Sequence, residues 1–464
     1  MSPPHYRERR SAPWALPACS SSSKRRRRLP APVSAASGDG TVEPSPWASL
    51  DGDLLRLIAW RVLDGDLLDY VRFRAVCPHW RTSAACPRGR GVADRRFHPR
   101  RWMMLPEGHG LYPTHGRLRG YIRFFNLDTG KFVRAKLPIF RDHCVLDSVD
   151  GLLVMHRDED TAIRLLHPFT GDIVDLPPLA TIAPHVNPDL PGAMHPLQRL
   201  LYLRGVCASL SIDSAGVITC MLALHRMGHV AVATSGDRKW NLSSWTLELC
   251  YAPLPFQGKL YMAQRNSSSS NHSDIFQVDP PHKEGVGSVS SLPAPKLIAT
   301  IPTEKLARPI FLAECDSQIL VLGHTDRSHS QMLVYRLSDL ILEKFVPIRN
   351  IGDKALFVNQ KSLCVSANKG LPTVVPGTIV YPNQNNGSLT QYHINSDTWS
   401  RPMDGCILKA PVFGPSCLIH HIYTCCRRNY WNKGQLYYVK KPCKWRVKGK
   451  WRHGCVNDLL WRSA

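Results

Sequence analysis

Residues 121–138, YIRFFNLDTGKFVRAKLP, alternate apolar and polar side chains on both sides of Asp128-Thr129-Gly130. This alternation is typical of two half-buried β-strands, and Gly130 can adopt the positive φ that a tight turn between them requires. The stretch therefore predicts a β-hairpin. A second stretch of the same form, AIRLLHPFTGDIVDLPP at residues 162–178, places Gly171 forty-one residues after Gly130. The hairpin is thus part of a repeat.

Weaker copies of this pattern continue along the chain. They are PFQGKLYMA at 255–263, SDIFQVDPP at 273–281, QILVLGH at 318–324, QMLVYRLSDLILEKFVP at 331–347 and LTQYHINSDTWSRPM at 389–403. A repeat of about forty residues built from short antiparallel strands is typical of propeller blades, because one blade cannot bury its faces alone. The region 101–440 has room for about six or seven blades of this kind. Residues 180–200 and 267–270 have the composition of loops.

A helical segment precedes the repeats at residues 47–87, WASLDGDLLRLIAWRVLDGDLLDYVRFRAVCPHWRTSAACP. Its first apolar residues recur at helical spacing, namely Leu54, Leu55, Ile58, Ala59, Val62 and Leu63. A second helix can begin at Asp66, and Pro78 suits the first turn of a third. The segment predicts a three-helix module, and such a small module needs a neighbour to complete its core. A helical cap packed on the following domain fits the same pattern.

The fold class predicted from these patterns is a small all-α module followed by an all-β propeller. The amino-terminal residues are rich in Ser, Pro, Ala and Arg without apolar periodicity, which favours disorder. The chain then divides into a disordered basic tail at 1–45, a helical module at 46–88, a linker at 89–120, a propeller domain at 121–440 and a basic tail at 441–464.

The order of residues in the helical segment resembles an F-box. The matching positions are Trp47, Leu50, Asp53, Leu54, Leu55, Ile58, Arg72, Arg74, Val76, Cys77, Trp80 and Arg81. One position departs from the pattern, because the family usually has Pro after the first Leu and this chain has Asp51.

The repeats also resemble a known family. Kelch blades contain Gly-Gly and WD blades contain Trp-Asp, and the sequence has neither pair. The segments NLDTGKFVRAKLP, VDGLLVM and HPFTGDIVDLPPL, followed later by IGDKALFVNQKSLCVSA at 351–367 and YHINSDTWS, are similar to the plant domain-of-unknown-function 295 family, a KIB-type β-propeller. With the F-box-like segment, the resemblance covers residues 47–403.

The two resemblances imply a function in the ubiquitin conjugation pathway. An F-box subunit of an SCF-type ubiquitin ligase binds the Skp-family adaptor of the cullin complex, and the resemblance assigns this contact to Leu50, Leu54, Leu55, Ile58 and Trp80. The propeller loops would then bind a target protein that the sequence does not identify. No catalytic residue, cofactor or metal is expected in such a receptor. An alternative function is a propeller scaffold or inhibitor in which the degenerate F-box is only a structural cap.

The basic charge is concentrated at the two ends of the chain. Of the net charge of +23, residues 1–38 carry +7 and residues 422–464 carry +10. The run Lys24, Arg25, Arg26, Arg27 and Arg28 fits a nuclear import signal, so we expect a nuclear or cytoplasmic protein. An Arg- and Ser-rich, acid-poor start also fits an organelle transit peptide. Trp445 and Trp451 among Lys and Arg allow weak, non-specific binding of nucleic acid.

Motifs of the common enzyme classes are absent from the sequence. It contains no H-E-x-x-H, G-x-S-x-G or phosphate-binding Walker loop, and no paired-acid signal points to a propeller glycosidase. The residues His420, His421, Cys425, Cys426, Cys443, His453 and Cys455 lack zinc-site spacing, and buried free Cys in an apolar strand, HHIYTCC, is the favoured interpretation. The odd Cys count of 15 favours a reducing compartment, and no apolar run reaches the roughly 18 residues of a membrane span.

Overall fold

The structure of the chain is a computed structural model. It describes residues 46–105, 121–157, 159–182, 205–224, 227–247, 250–264, 271–281, 291–326, 328–367, 371, 373–382, 389–401 and 418–426. Residues Pro46–Ser49 form a 3-10 turn in the first of two compact units. The second unit begins at Leu50 and contains the helices and strands that follow.

Three helices open the second unit: α1 (Gly52–Gly65), α2 (Leu67–Arg74) and α3 (Pro78–Ser83). Asp51 and Asp66 precede α1 and α2, and each carboxylate accepts hydrogen bonds from two backbone N–H groups of the first helical turn. These caps satisfy donors that would otherwise lack partners in the helix. Pro78 begins α3, where its missing N–H costs nothing. Helices therefore form where the apolar spacing predicts them.

Six sheets in the described part of the chain form the blades of a β-propeller. Blade 1 consists of β1 (Trp102–Met104), β2 (Tyr121–Asn126) and β3 (Phe132–Lys136). Blade 2 consists of β4 (His143–Val149), β5 (Leu152–Arg157), β6 (Ile163–Leu166) and β7 (Ile173–Leu176). Blade 3 consists of β8 (Val206–Ile212), β9 (Ile218–Leu224), β10 (His229–Thr234) and β11 (Asn241–Leu242).

The remaining blades complete the ring. Blade 4 consists of β12 (Cys250–Phe256), β13 (Lys259–Gln264), β14 (His272–Val278) and β15 (Lys296–Pro302). Blade 5 consists of β16 (Ala307–Cys315), β17 (Gln318–His324) and β18 (Met332–Arg336), which leads into helix α4 (Leu337–Ile341). Blade 6 consists of β19 (Lys354–Phe357), β20 (Leu363–Ser366), β21 (Thr378–Pro382), β22 (Leu389–His393) and β23 (Thr398–Ser400). Helix α5 (Leu418–Thr424) follows.

Apolar side chains fill the space between neighbouring blades. Successive residues of a strand point to opposite faces, so Leu312 of β16 packs towards blade 4 and Ala313 packs towards blade 6. Separate clusters lie between blades 2 and 3, 3 and 4, 4 and 5, and 5 and 6. One larger cluster joins blades 6, 1 and 2 with the helices. The helices are therefore part of the core that closes the ring.

Asp147 connects three blades at the inside of the ring. Strands β4, β8, β12, β16 and β20 each lie at the edge of a sheet and contact the next in order, so they line the central channel. The fully buried carboxylate of Asp147 in β4 accepts a hydrogen bond of 2.9 Å from the backbone N–H of Ala208 in blade 3. It also lies 3.3 Å from the ammonium of Lys361 in blade 6. A buried charge needs such partners, and here they fasten separate blades together.

Two equivalent hairpin turns hold the segment that contains the helices. At the β2–β3 turn, Asn126 Oδ1 accepts from the N–H groups of the two following turn residues, and at the β6–β7 turn His167 Nδ1 does the same. The donor atom of each side chain points to the amino-terminal segment instead: Asn126 Nδ2 donates to Asp66 and His167 Nε2 to the carbonyl of Phe97. Burial lowers the pKa of His167 to about 4, which keeps Nδ1 available as an acceptor.

Asp66 is the main polar connection between the helices and blade 1. Its Oδ2 accepts hydrogen bonds from Trp102 Nε1, at 2.7 Å, and from Asn126 Nδ2, at 2.9 Å, while its Oδ1 caps α2. Trp102 and Asn126 are both buried. One carboxylate therefore serves the start of a helix and the docking of that helix on the propeller.

Several elements differ from the prediction. The predicted linker at 89–120 contains a 3-10 turn at Arg95–Phe97 and then β1, so blade 1 begins before Tyr121. Gly89 and Gly91 bind the Asp172 carboxylate of blade 2 through their backbone N–H groups. Such a contact leaves no apolar periodicity in the sequence. The predicted 331–347 hairpin is β18 followed by α4. The stretch HHIYTCC is helix α5 and its end rather than a strand, although Cys425 and Cys426 are buried and form no disulfide, as expected.

We expect Asp66→Ala to lower the free energy of unfolding by about 3–5 kcal/mol, because it removes a helix cap and leaves two buried donors without their acceptor. Urea unfolding followed by tryptophan fluorescence measures the change. The control is Asp64→Ala at the exposed end of α1, which should change stability by no more than about 0.5 kcal/mol. Equal effects of the two substitutions would contradict the assigned role of Asp66.

We expect Lys361→Met to cost about 3–5 kcal/mol, because the buried Asp147 carboxylate then loses its cation. Adding Asp147→Asn removes the buried charge, so the double variant should be more stable than the sum of the two single changes predicts. The matched control is Lys259→Met, which breaks a 2.9 Å pair with Asp279 in which 39% of the lysine side chain is exposed. That change should cost no more than about 1 kcal/mol in the same urea assay. Additive effects at Lys361 and Asp147 would contradict the coupling.

Candidate functional site

Helix α1 has apolar side chains on two opposite faces. Leu55, Ala59 and Leu63 are buried in the core shared with the propeller. On the other side, Leu54, Leu57 and Ile58 are 52%, 67% and 39% exposed. These three residues follow the i, i+3, i+4 spacing of one helical face, and we call them the α1 stripe. A continuous exposed apolar stripe on a surface helix marks a candidate interaction surface.

The five residues predicted to bind a partner have different positions in the structure. Leu54 and Ile58 belong to the α1 stripe. Leu50 and Trp80 are half-buried and pack against the core, and the Trp80 ring centroid lies 4.5 Å from that of Phe73. Leu55 has no exposed surface, so its side chain serves the fold and is not available to a partner in this arrangement.

Sequence reasoning missed Leu57, the most exposed residue of the α1 stripe. The available signal was its position three residues after Leu54 and one before Ile58. Val76, which follows α2, is also 61% exposed, and its sequence match was noted without a role in partner binding. Exposed ion pairs flank this region, Arg56 with Asp53 and Arg72 with Asp69. Because they face water, such pairs add little to stability.

Asp51, at the position where the F-box pattern usually has Pro, forms a normal start to α1. Its φ is −53° and its carboxylate accepts from the N–H groups of Asp53, at 2.7 Å, and Leu54, at 3.2 Å. This φ lies in the range that proline also adopts. Next to it, His79 Nε2 lies 2.8 Å from the carbonyl oxygen of Leu50, which links α3 to the residue before Asp51. The chain thus enters α1 with its first backbone donors satisfied by a side chain.

Charged groups from distant parts of the sequence interact at one end of the central channel. Partial desolvation by the surrounding protein raises the pKa of Glu314 in β16, although the residue is exposed, and the charge of Asp150, in the β4–β5 turn, adds to the effect. Burial alone would raise the pKa of Asp150, but His98, whose Nδ1 lies 3.8 Å from Asp150 Oδ2, and the charges of Arg100 and Arg95 hold it below its usual value. The cluster is mixed in sign, which suits contacts with polar or charged groups of a partner. No sequence motif predicted this charged cluster.

His324 is a buried polar residue that behaves as part of the core. Its ring lies between blades 5 and 6, with its centroid 4.0 Å from that of His329 and 5.5 Å from that of Tyr381. Burial, reinforced by His329, lowers its pKa to about 4, so the ring is neutral near pH 7. Neither ring nitrogen has a hydrogen-bond partner in the structure. The side chain therefore packs as an aromatic ring.

The described residues contain neither a metal-binding cluster nor a membrane-spanning helix. Over residues 46–426 with the gaps given above, no three His, Cys, Asp or Glu side chains converge as a metal site requires. In the same residues, no helix has the length and apolar character needed to cross a membrane. The predicted localisation signal at Lys24–Arg28 and the tail at 441–464 with Cys443, His453 and Cys455 lie outside the described residues.

Comparison with known proteins bears on the propeller. No curated protein matches the chain. The model of the KIB1-4 beta-propeller family matches residues 124–396, from β2 in blade 1 to the β22–β23 turn in blade 6. The match covers more than half of the chain and reaches all six blades. The chain therefore belongs to the KIB1-4 beta-propeller family.

Proposed function

We propose that the protein is a substrate-receptor subunit of an SCF-type cullin-RING ubiquitin ligase. The observation that carries the proposal is the α1 stripe of Leu54, Leu57 and Ile58, exposed on helices whose opposite face is buried against the propeller. An apolar face that the fold leaves in water gains free energy when a partner covers it. The residue order of the same helices resembles an F-box, which supports a Skp-family adaptor as that partner.

The contact with the adaptor would centre on the α1 stripe. Each apolar side chain that becomes buried contributes roughly 1.5–3 kcal/mol, so two or three such residues account for a specific contact. Leu50 and Trp80, being half-buried, would form its rim, and Leu55 would support the helix from behind. Val76 extends the exposed apolar surface at the end of α2.

The propeller would hold the target protein. Propellers present loops at the ends of their blades, and binding residues are commonly carried on loops held by a rigid scaffold. Since the helices share one core with blade 1 and bind it through Asp66, the target would be held at a fixed position relative to the adaptor. Tethering raises the effective concentration of the target near the ligase enzymes. The receptor itself needs no active site, cofactor or metal, because its partners transfer ubiquitin.

The basic run Lys24–Arg28 supports a location in the nucleus or the cytoplasm through the import machinery. The basic ends also give the chain weak affinity for nucleic acid, which is secondary to protein binding.

A second function is supported by the buried face of the helices. Leu55, Ala59, Leu63, Leu67 and Tyr70 complete the core around blade 1, so the module has a structural purpose without any adaptor. A propeller scaffold or inhibitor would keep these residues and could lose adaptor binding at Asp51. The two functions differ in whether the α1 stripe binds the Skp-family adaptor.

We expect the purified full chain to bind a Skp-family adaptor, and Leu54→Asp and Ile58→Asp each to weaken binding about tenfold or more, because a carboxylate would be buried at the contact. Isothermal titration calorimetry measures the affinity. The matched control is Leu297→Asp on β15 of blade 4, where the leucine is 54% exposed against 52% for Leu54. Equal losses in all three variants would remove the α1 stripe as the docking surface.

Substitutions at Asp51 separate the two functions. Asp51→Asn keeps an acceptor for the helix cap and should bind the adaptor as the natural chain does, whereas Asp51→Pro restores the residue of the F-box pattern and loses about 1 kcal/mol of cap energy. If the natural chain does not bind and Asp51→Pro does, this chain acts as the scaffold. If neither binds, the ligase function is wrong.

A further inference from the structure

Two thiols from different blades lie side by side in the wall of the channel. Cys315 is the last residue of β16 in blade 5, and Cys364 lies in β20 of blade 6. These edge strands contact each other, and the Sγ atoms are 3.3 Å apart. The two residues are 49 positions apart in the sequence. Both are free thiols in the structure.

The surroundings of the pair distinguish the two thiols. The Cys364 thiol donates to Cys315 Sγ, and this hydrogen bond lowers the pKa of Cys315 and raises that of Cys364. Burial and the charge of Asp316 oppose this lowering of the Cys315 pKa, while the ammonium of Lys354 on the neighbouring strand β19 adds to it. Cys315 is 7% exposed and Cys364 is half-buried, so the pair is reached from the side of Cys364. A thiolate beside a second thiol is the arrangement of an oxidant-sensitive pair.

We propose that Cys315 and Cys364 are a modification site, at which peroxide forms a reversible disulfide between blades 5 and 6. In the first step the Cys315 thiolate attacks one peroxide oxygen, the O–O bond breaks, and sulfenic acid and hydroxide form. In the second step Cys364 sulfur attacks the sulfenic sulfur, and the sulfenic oxygen leaves as water with the Cys364 proton. Two thiols supply the two electrons that reduce the peroxide. The sulfurs need to approach only from 3.3 Å to about 2.05 Å.

Three other buried cysteines of the described chain, Cys207, Cys425 and Cys426, have different geometry. Cys425 and Cys426 are adjacent in the sequence, but their thiols donate to separate carbonyls, those of Met104 in blade 1 and Phe357 in blade 6. Cys207 donates to the carbonyl of Pro253. Cys86 is exposed. The contacts of Cys207, Cys425 and Cys426 direct their thiols towards backbone oxygen atoms rather than towards one another.

The disulfide would change how one boundary between blades is held. The side chains packed between blades 5 and 6 are mainly apolar, so in the reduced protein only non-covalent packing resists separation of the two blades there. A covalent bond between β16 and β20 would prevent that separation at the channel. It would also fix the β16 end that carries Glu314, next to the charged cluster. Oxidation thus acts on both the opening of the ring and the polar end of the channel.

The test uses the full-length protein treated with hydrogen peroxide, alkylated with N-ethylmaleimide, digested with trypsin without reduction and analysed by mass spectrometry. We expect peptides 306–327 and 362–369 to appear joined, with a mass about 2 Da below the sum of the two free peptides. Dithiothreitol should restore the separate peptides. Oxidised protein should also unfold at a higher temperature than reduced protein.

Matched variants separate the pair from general oxidation. Cys364→Ser should abolish the joined peptide and leave Cys315 as a sulfenic acid that dimedone labels, and the rise in unfolding temperature should disappear. Cys86→Ser, which removes an exposed thiol, should retain the joined peptide and the rise. Oxidation of Cys315 and Cys364 only to separate sulfinic acids, joining of either to another cysteine, or two unmodified thiols after treatment would overturn the proposal.

Discussion

The ring of blades has to close, because each sheet is apolar on both faces and no blade can cover itself. From blade 2 round to blade 6, apolar clusters at each of the four successive boundaries cover the faces of the sheets. The boundary between blades 6 and 1 is built differently. Helix α5 lies there, and the thiols that follow it donate to the carbonyls of Met104 and Phe357, one on each side. Asp147 and Lys361 add an ionic contact between blades 2 and 6.

Closure explains one of the two apolar faces of helix α1. Its inner face completes the cluster around blade 1, a sheet with only three strands among the described residues. Its outer face, the α1 stripe, contributes nothing to that core. The same helix can therefore satisfy the fold and display a surface, and the two roles fall on opposite faces. This separation lets the outer residues vary in response to a partner without weakening the ring.

The sequence predicted the features that depend on local patterns. The turn glycines Gly130 and Gly171 have φ values of 69° and 79°, and the predicted hairpins around them are present. Contacts between distant residues were out of reach: the segment at 89–101 has no apolar period, and its attachment to blade 2 uses glycine N–H groups that bind Asp172. Short apolar runs such as HHIYTCC do not distinguish helix from strand. Similarly, Leu55 and Leu57 differ in burial only because the propeller lies on one side of α1.

The paired roles of Asn126 and His167 have a consequence for what counts as one domain. The recurring family segment, 124–396, contains both side chains but neither of their outer partners, Asp66 and the carbonyl of Phe97. It also lacks Met104 and α5, which fill the boundary between blades 6 and 1. A fragment with the family boundaries would leave that boundary open to water. The segment that the family model matches is therefore shorter than the part of the described chain that these contacts join, which extends from Leu50 to Cys426.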